Sequence, residues 1–206
     1  MGLEVWRIPL IRTQTIKGAD LSPLYRCRCW LFGSVAAVQA VVELGGSLQH
    51  RWLGAVGPAT RAALEQAGGR VELVAPDGNA ASLARAFIAR QETGWVGLPL
   101  GSRSLPTLAQ HLSRGGYRVQ SSVVYETINL PWPQGLGAPE LIVLASPSAL
   151  DSVPEAIGQQ AHFLALGPTT ALALFERGWS HTTVSYPNEE AILKAVEEIR
   201  GEPCST

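Results

Sequence analysis

An α/β fold built from two related halves with parallel sheets is what the sequence predicts, and three observations carry it. Short β-rich runs alternate with Ala/Leu/Glu/Gln-rich stretches of helical length, the pattern of strand–helix–strand units in parallel sheets. Three motifs also recur in one order. Phe32-Gly33-Ser34-Val35-Ala36 is answered by Leu144-Ala145-Ser146-Pro147-Ser148, and Val56-Gly57-Pro58-Ala59-Thr60 by Leu166-Gly167-Pro168-Thr169-Thr170. Asn79-Ala80-Ala81-Ser82-Leu83 is answered by Asn188-Glu189-Glu190-Ala191-Ile192. The steps are 112, 110 and 109 residues, so the repeat is a duplicated domain rather than a solenoid, whose period is roughly 20–50 residues. Finally, two segments break the rhythm: polar Arg12–Pro23, and Asn129–Pro139 with 3 prolines and 2 glycines. Taken as two crossings, they make residues 15–129 one continuous domain, inserted into a second domain made of 1–14 plus 130–206. Two similar domains create a cleft, and small-molecule sites favour such interfaces.

Along the chain, the first strand is expected at Val5–Ile11, followed by the polar crossing. Arg28–Phe32 and Trp52–Val56 are apolar runs that end on Gly-Ser and Gly-Pro, so each leads into a helix, Val35–Leu44 and Pro58–Gln66. Gly68-Gly69 then stops the second helix. Val71–Val74 is the next strand, and Asn79 is positioned to cap a helix over Asn79–Gln91. Trp95–Pro99, a helix over Leu105–Arg114 ended by Gly115-Gly116, and the long β-rich run Val119–Ile128 complete the inserted domain. The second half repeats the plan with strands at Leu141–Leu144, Phe163–Leu166 and Thr182–Ser185. Its helices are expected at Pro147–Gln159, Pro168–Arg177 and Asn188–Arg200. Ser146 before Pro147 is a good pair for a helix start, because proline's fixed φ suits the first helical position and its missing N–H costs nothing there.

Composition narrows the function. Of 206 residues 46% are apolar, and the formal net charge is −1, which excludes a basic nucleic-acid surface. No apolar run reaches the roughly 18–20 residues of a membrane span, and the N-terminus lacks the pattern of a signal peptide. The 3 cysteines, Cys27, Cys29 and Cys204, form no framework and suit a reducing compartment, so a cytoplasmic protein is expected. Cys27-Arg28-Cys29 has no second pair, and His50, His111, His162 and His181 are scattered; no metal site is expected. With neither GxGxxG nor a Walker loop, a nucleotide enzyme is disfavoured.

The four small-residue junctions carry the chemistry. Parallel sheets bind ligands at the carboxyl ends of their strands, where helix N-termini offer free N–H groups and partial positive charge to carboxylates or phosphates. Any single junction is accounted for by plain helix capping. Four in duplicated register point to a shared anionic ligand, with Ser34, Val35, Gly57, Thr60, Ser146, Pro147, Gly167, Thr169 and Thr170 as its candidate contacts.

Those paired junctions resemble the uroporphyrinogen-III synthase family. The match is best at Leu166-Gly167-Pro168-Thr169-Thr170-Ala171-Leu172-Ala173-Leu174, then at Ala145-Ser146-Pro147-Ser148-Ala149 and Val123-Val124-Tyr125-Glu126-Thr127, and it covers nearly the whole chain. The resemblance implies two similar flavodoxin-like three-layer α/β domains with parallel sheets, joined by a two-segment linker, with the ligand cleft between them. It implies an enzyme, a cyclising hydro-lyase that closes hydroxymethylbilane to uroporphyrinogen III with inversion of the last pyrrole ring and loss of water, without metal or cofactor. The substrate is a linear tetrapyrrole with eight carboxylates, no nucleic acid or membrane is involved, and a monomer is expected. Tyr125, matching the family's linker tyrosine, is the candidate proton donor; Ser102 and Arg103 join the candidate substrate contacts. If backbone amides alone hold the substrate, Ser34→Ala and Ser146→Ala should leave turnover nearly unchanged.

Three departures from the family pattern stand out. Relatives carry a strand and helix ahead of the segment that starts here at Gly2, so the expectation is a start internal to a longer protein, or a degenerate relative. With a flavodoxin-like strand order of 2-1-3-4-5, the strand at Val5–Ile11 would then lack a neighbour. Leu100 stands where relatives commonly have arginine, and Gly33 replaces a threonine beside Ser34. The missing unit and Leu100 favour a second reading, a non-catalytic relative that binds a tetrapyrrole or another polycarboxylate, whereas Tyr125 and the intact Gly167-Pro168-Thr169-Thr170 favour the enzyme. A generic flavodoxin-like or periplasmic-type binder rests on fold analogy alone.

Overall fold

A computed structural model describes residues 4–184 and 188–201; Met1–Leu3, Ser185 and Cys204, which figure in the expectations above, lie outside them. The chain divides into two compact units, Thr13–Ile128 and a discontinuous one formed by Met1–Arg12 with Asn129–Thr206.

In chain order, the first elements are strand β1 (Ile11–Thr15), the single turn α1 (Ser22–Tyr25), β2 (Cys29–Phe32) and α2 (Val35–Glu43). They are followed by β3 (Trp52–Ala55), α3 (Pro58–Gln66), β4 (Val71–Val74) and α4 (Ala80–Ala89). Then come β5 (Val96–Gly101), α5 (Thr107–Arg114) and the 11-residue β6 (Val119–Asn129). The six strands form one sheet in the order β1-β6-β5-β2-β3-β4, with parallel pairing from β6 through β4. All four residues of β2 are buried, as expected of a central parallel strand covered on both faces. Its Trp30 and Phe32 join a core with Val38 and Val41 of α2 and Leu64 of α3. Cys29 and Leu31 face the opposite core with Phe87 of α4 and Leu112 of α5. At the amino end of β2, Arg51 lies over the Trp30 ring, 4.9 Å from its centroid. It also donates to the carbonyls of Tyr25 (3.2 Å) and Cys27 (2.7 Å). Numbered from β2, the five parallel strands read 3-2-1-4-5, whereas a flavodoxin-like order is 2-1-3-4-5.

The second unit contains β7 (Leu141–Leu144), a 3-10 helix (Pro147–Ser152), the single turn α6 (Glu155–Gly158) and β8 (His162–Leu166). It closes with α7 (Pro168–Glu176), β9 (His181–Val184) and α8 (Glu189–Arg200). The three strands form a parallel sheet in the order β7-β8-β9. One face packs Ile142, Leu144, Phe163 and Ala165 against the 3-10 segment, Leu174 and Trp179. The other packs Leu164 and Val184 against Ala195 of α8. Trp179 stacks on Phe163 with centroids 5.3 Å apart.

Two expectations are corrected. Residues 4–10 form no strand: Pro9 interrupts them and cannot donate to a ladder, while Ile8 and Leu10 pack directly on the core. The strand comes later, in polar Ile11–Thr15, beside β6. The single helix expected over Pro147–Gln159 is two pieces, because Pro154 biases Val153 to extended backbone (φ −89, ψ 119) and so ends the first.

Candidate functional site

Where the order of parallel strands reverses, the loops at the carboxyl ends of the two central strands leave a crevice suited to ligands. In the unit of residues 13–128 that point lies between β2 and β5, whose chains leave through Gly33-Ser34 and Gly101-Ser102. Ser34 is extended (φ −163, ψ 157) and its hydroxyl accepts from the Ala37 N–H at 3.1 Å, satisfying one of the first-turn amides of α2. The N–H groups of Val35 and Ala36 precede the first internal bonds of that helix, so positive potential gathers above Ser34.

Tyr125 meets Ser34 at this point. The Ser34 hydroxyl donates to the Tyr125 phenol oxygen at 3.1 Å, which leaves the phenol's own proton free of that bond. A bulge brings the ring there. β5 and β6 pair Leu100 with Val123, but the next pair is Gly101 with Tyr125, so Val124 is the extra residue. In a regular strand, neighbours face opposite ways; here buried Val124 and half-buried Tyr125 both pack on the core beside Phe32 and Val38. Bulges re-aim side chains in this way and are rare in parallel pairs. Both carbonyls at the bulge are paired: Val124 O accepts from Ile16 N–H and Tyr125 O from Ser102 N–H, each at 2.9 Å. The phenol lies directly on Gly101, where an added Cβ would stand 2.4 Å from Cζ and 2.7 Å from Oη.

The remaining expected residues of this unit are spread along the same edge. Gly57 precedes α3 one strand over from Ser34, extended at φ −169, with Pro58 opening the helix. Thr60, in the first turn, is 3% exposed and packs inward. Ser102 and Arg103 form the exposed turn after β5; the Ser102 hydroxyl accepts from Thr127 N–H at 3.4 Å. The same turn is closed by Ser104, whose hydroxyl accepts from Gly101 N–H at 2.8 Å and whose N–H donates to Gly101 O at 3.0 Å. Leu100 packs against the core below the sheet.

The other unit repeats these junctions with different backbone. Ser146, followed by Pro147, accepts from Ser148 N–H at 3.3 Å and caps a 3-10 helix rather than an α-helix. Gly167 has φ +113 and ψ 159 before Pro168, a region essentially reserved for glycine. Thr169 is exposed and Thr170 is 2% exposed, so the third helical residue is a buried threonine in both halves. Asn79 and Asn188 cap α4 and α8 by accepting from Ser82 N–H (2.9 Å) and Ala191 N–H (2.8 Å). Gly101, Ser104 and the bulge escaped the sequence reading. The alternation in β5 marks Gly101 as small, but nothing local says which ring lies on it.

Other candidates stand apart from this site. Cys27 and Cys29 are free and buried. Burial, with Glu92 adding to it, pushes the Cys29 thiol up to about 11, away from nucleophilic use. His162 lies between the hydroxyls of Ser180 (2.8 Å) and Thr182 (2.9 Å). Among the described residues no cluster of His, Cys, Asp and Glu could hold a metal ion, and no helix is long and apolar enough to cross a membrane.

Comparison with solved structures finds the same fold in uroporphyrinogen-III synthetase from Helicobacter pylori. That match has a TM-score of 0.72 at 19% identity and covers 95% of this chain and 96% of that one. A mutant uroporphyrinogen III synthase from the extremely thermophilic bacterium Thermus thermophilus matches with a TM-score of 0.61 at 22% identity, covering 94% of this chain and 88% of that one. No curated protein matches in sequence. The family model described as uroporphyrinogen-III synthase HemD matches residues 1–194, nearly the entire chain. By that match, with the duplicated junctions and the switch-point tyrosine behind it, this chain belongs to the uroporphyrinogen-III synthase family.

Proposed function

We propose that the protein is a cyclising hydro-lyase that closes hydroxymethylbilane to uroporphyrinogen III, inverting the last pyrrole ring and releasing water. The observation that carries this reading is the Tyr125 phenol held against Ser34 beside the N-terminus of α2, at the reversal of strand order. Its proton is available to the departing hydroxyl of the substrate, which leaves as water. The resulting azafulvene cation is stabilised by pyrrole nitrogen, so the protein mainly orients the chain for attack by the substituted carbon of the last ring. That carbon then releases its original methylene bridge as a second azafulvene cation, the ring's free α-carbon closes on it, and the proton lost from that carbon restores the phenol.

The junctions supply the anion contacts. In one unit these are the amides at Val35 and beyond Gly57, with Ser102 and Arg103; in the other, the amides after Ser146-Pro147 and around Gly167, Thr169 and Thr170. Helix N-termini bind carboxylates without a large complement of cations, consistent with a near-neutral chain. No cofactor is required, and a cytoplasmic monomer fits this chemistry.

The test is a coupled assay that generates hydroxymethylbilane in situ, adds the protein, oxidises the products and separates the isomers. Isomer III above background is the expected result. Isomer I alone, the uncatalysed product, from folded protein would replace this reading with that of a non-catalytic tetrapyrrole binder, for which Leu100 in place of a cation is the favouring feature.

A further inference from the structure

We infer that Gly101, with the Gly101–Ser104 turn and the bulge at Val124, is a positioning device for the Tyr125 phenol; this rests on the proposed role of that phenol. Two contacts reach it from one turn, and two further bonds lock that turn. The ring lies where a Cβ at position 101 would be, 2.4 Å from Cζ and 2.6 Å from Cε2. The backbone of the ring-bearing residue is gripped from the same turn by Ser102, through its N–H to Tyr125 O at 2.9 Å and through its hydroxyl to Thr127 N–H. The turn itself is locked by the two Ser104–Gly101 bonds. Gly101 is buried and its side-chain space is filled by the phenol, so no other residue satisfies both packing and register.

Ser34 completes the device. Its oxygen accepts from the Ala37 N–H, and its own proton goes to the phenol oxygen. Ser34 thereby occupies one lone pair of the phenol oxygen and leaves the phenolic proton out of that bond. Both residues act through Tyr125, and neither needs to touch substrate.

A double-mutant cycle on the full chain tests this by the rate of isomer III formation. Gly101→Ala is expected to lower kcat by about tenfold or more, with KM within about twofold, because an interaction used in the transition state is lost. In a Tyr125→Phe background the same substitution should change kcat by less than about twofold, since interacting positions are non-additive. Equal losses in both backgrounds, or no loss in the first, would overturn the proposal. Should Gly101→Ala fail to fold, Ser34→Ala takes its place, with recovery expected in Ser34→Thr, which keeps the hydroxyl. A ring-labelled tyrosine NMR spectrum gives a readout independent of turnover. Gly101→Ala should shift the Tyr125 signals while leaving those of Tyr25 in place, and unmoved Tyr125 signals would refute the positioning role. If the wild type makes only isomer I, the enzymatic reading fails and the spectrum alone decides the geometry. If Tyr125→Phe matches an active wild type, the enzyme stands and the positioning device does not.

Discussion

The two Gly-Pro junctions carry the same motif and meet opposite backbone demands. Gly57 is extended, a conformation open to any residue, with empty space where a side chain would go; Gly167 sits at φ +113. The serine junctions diverge as well. Ser34 caps a nine-residue α-helix and holds a phenol, whereas Ser146 caps a 3-10 helix that ends before Pro154. The two junctions share the chemistry of helix starts, while each unit sets separately which copy is strained and which is tied to the site.

The largest effect that could break this comparison is a stability difference. Gly167→Ala should destabilise by about 2–3 kcal/mol, the cost of a side chain in glycine-only backbone. Gly57→Ala should stay within about 0.5 kcal/mol. Urea unfolding of both variants measures this, and equal losses would abolish the contrast.

The serine pair is the next sharpest. Ser34→Ala should cost about 1 kcal/mol as a lost cap and also lower turnover through Tyr125. Ser146→Ala, whose bond is longer and reaches only two residues ahead, should cost about 0.5 kcal/mol and leave turnover near wild type. Steady-state assays with melting curves separate the two effects. Near-wild-type turnover in both variants would return to the expectation that amides alone hold the substrate.

The last contrast concerns pH and belongs to the unit of residues 13–128. The Cys29 thiol has its folded value raised from 9.0 to about 11 by burial. The folded state therefore keeps a proton that the unfolded chain has already lost. This contribution is fully present below about 9 and is lost as pH rises through about 11. Stability should fall across that window, and less steeply in Cys29→Ala; identical slopes would remove the thiol from the account.

Much of this was legible locally. The strand expected at Arg28–Phe32 and the stops at glycine were visible because burial on both faces and cap chemistry leave short-range marks. Ile11–Thr15 was not, since IRTQT has no apolar alternation and becomes a strand only through its neighbour β6. Pro9 and Pro154 were readable in principle: each vetoes the element drawn through it. In the site, Ser34 and Tyr125 could be named from motif and resemblance. Their meeting depends on one extra residue in β6, which shifts every side chain beyond it relative to the partner strand. No pattern within either segment encodes that shift.

Ser102 has a mechanical consequence. It is bound to Tyr125 O on one side and Thr127 N–H on the other, just before β6 runs out of its unit at Ile128. The chain is thus pinned ahead of its exit, like a rope made fast to a cleat before it leaves the deck. The brace and the phenol it holds therefore both belong to the Thr13–Ile128 unit, ahead of the point where the chain leaves it.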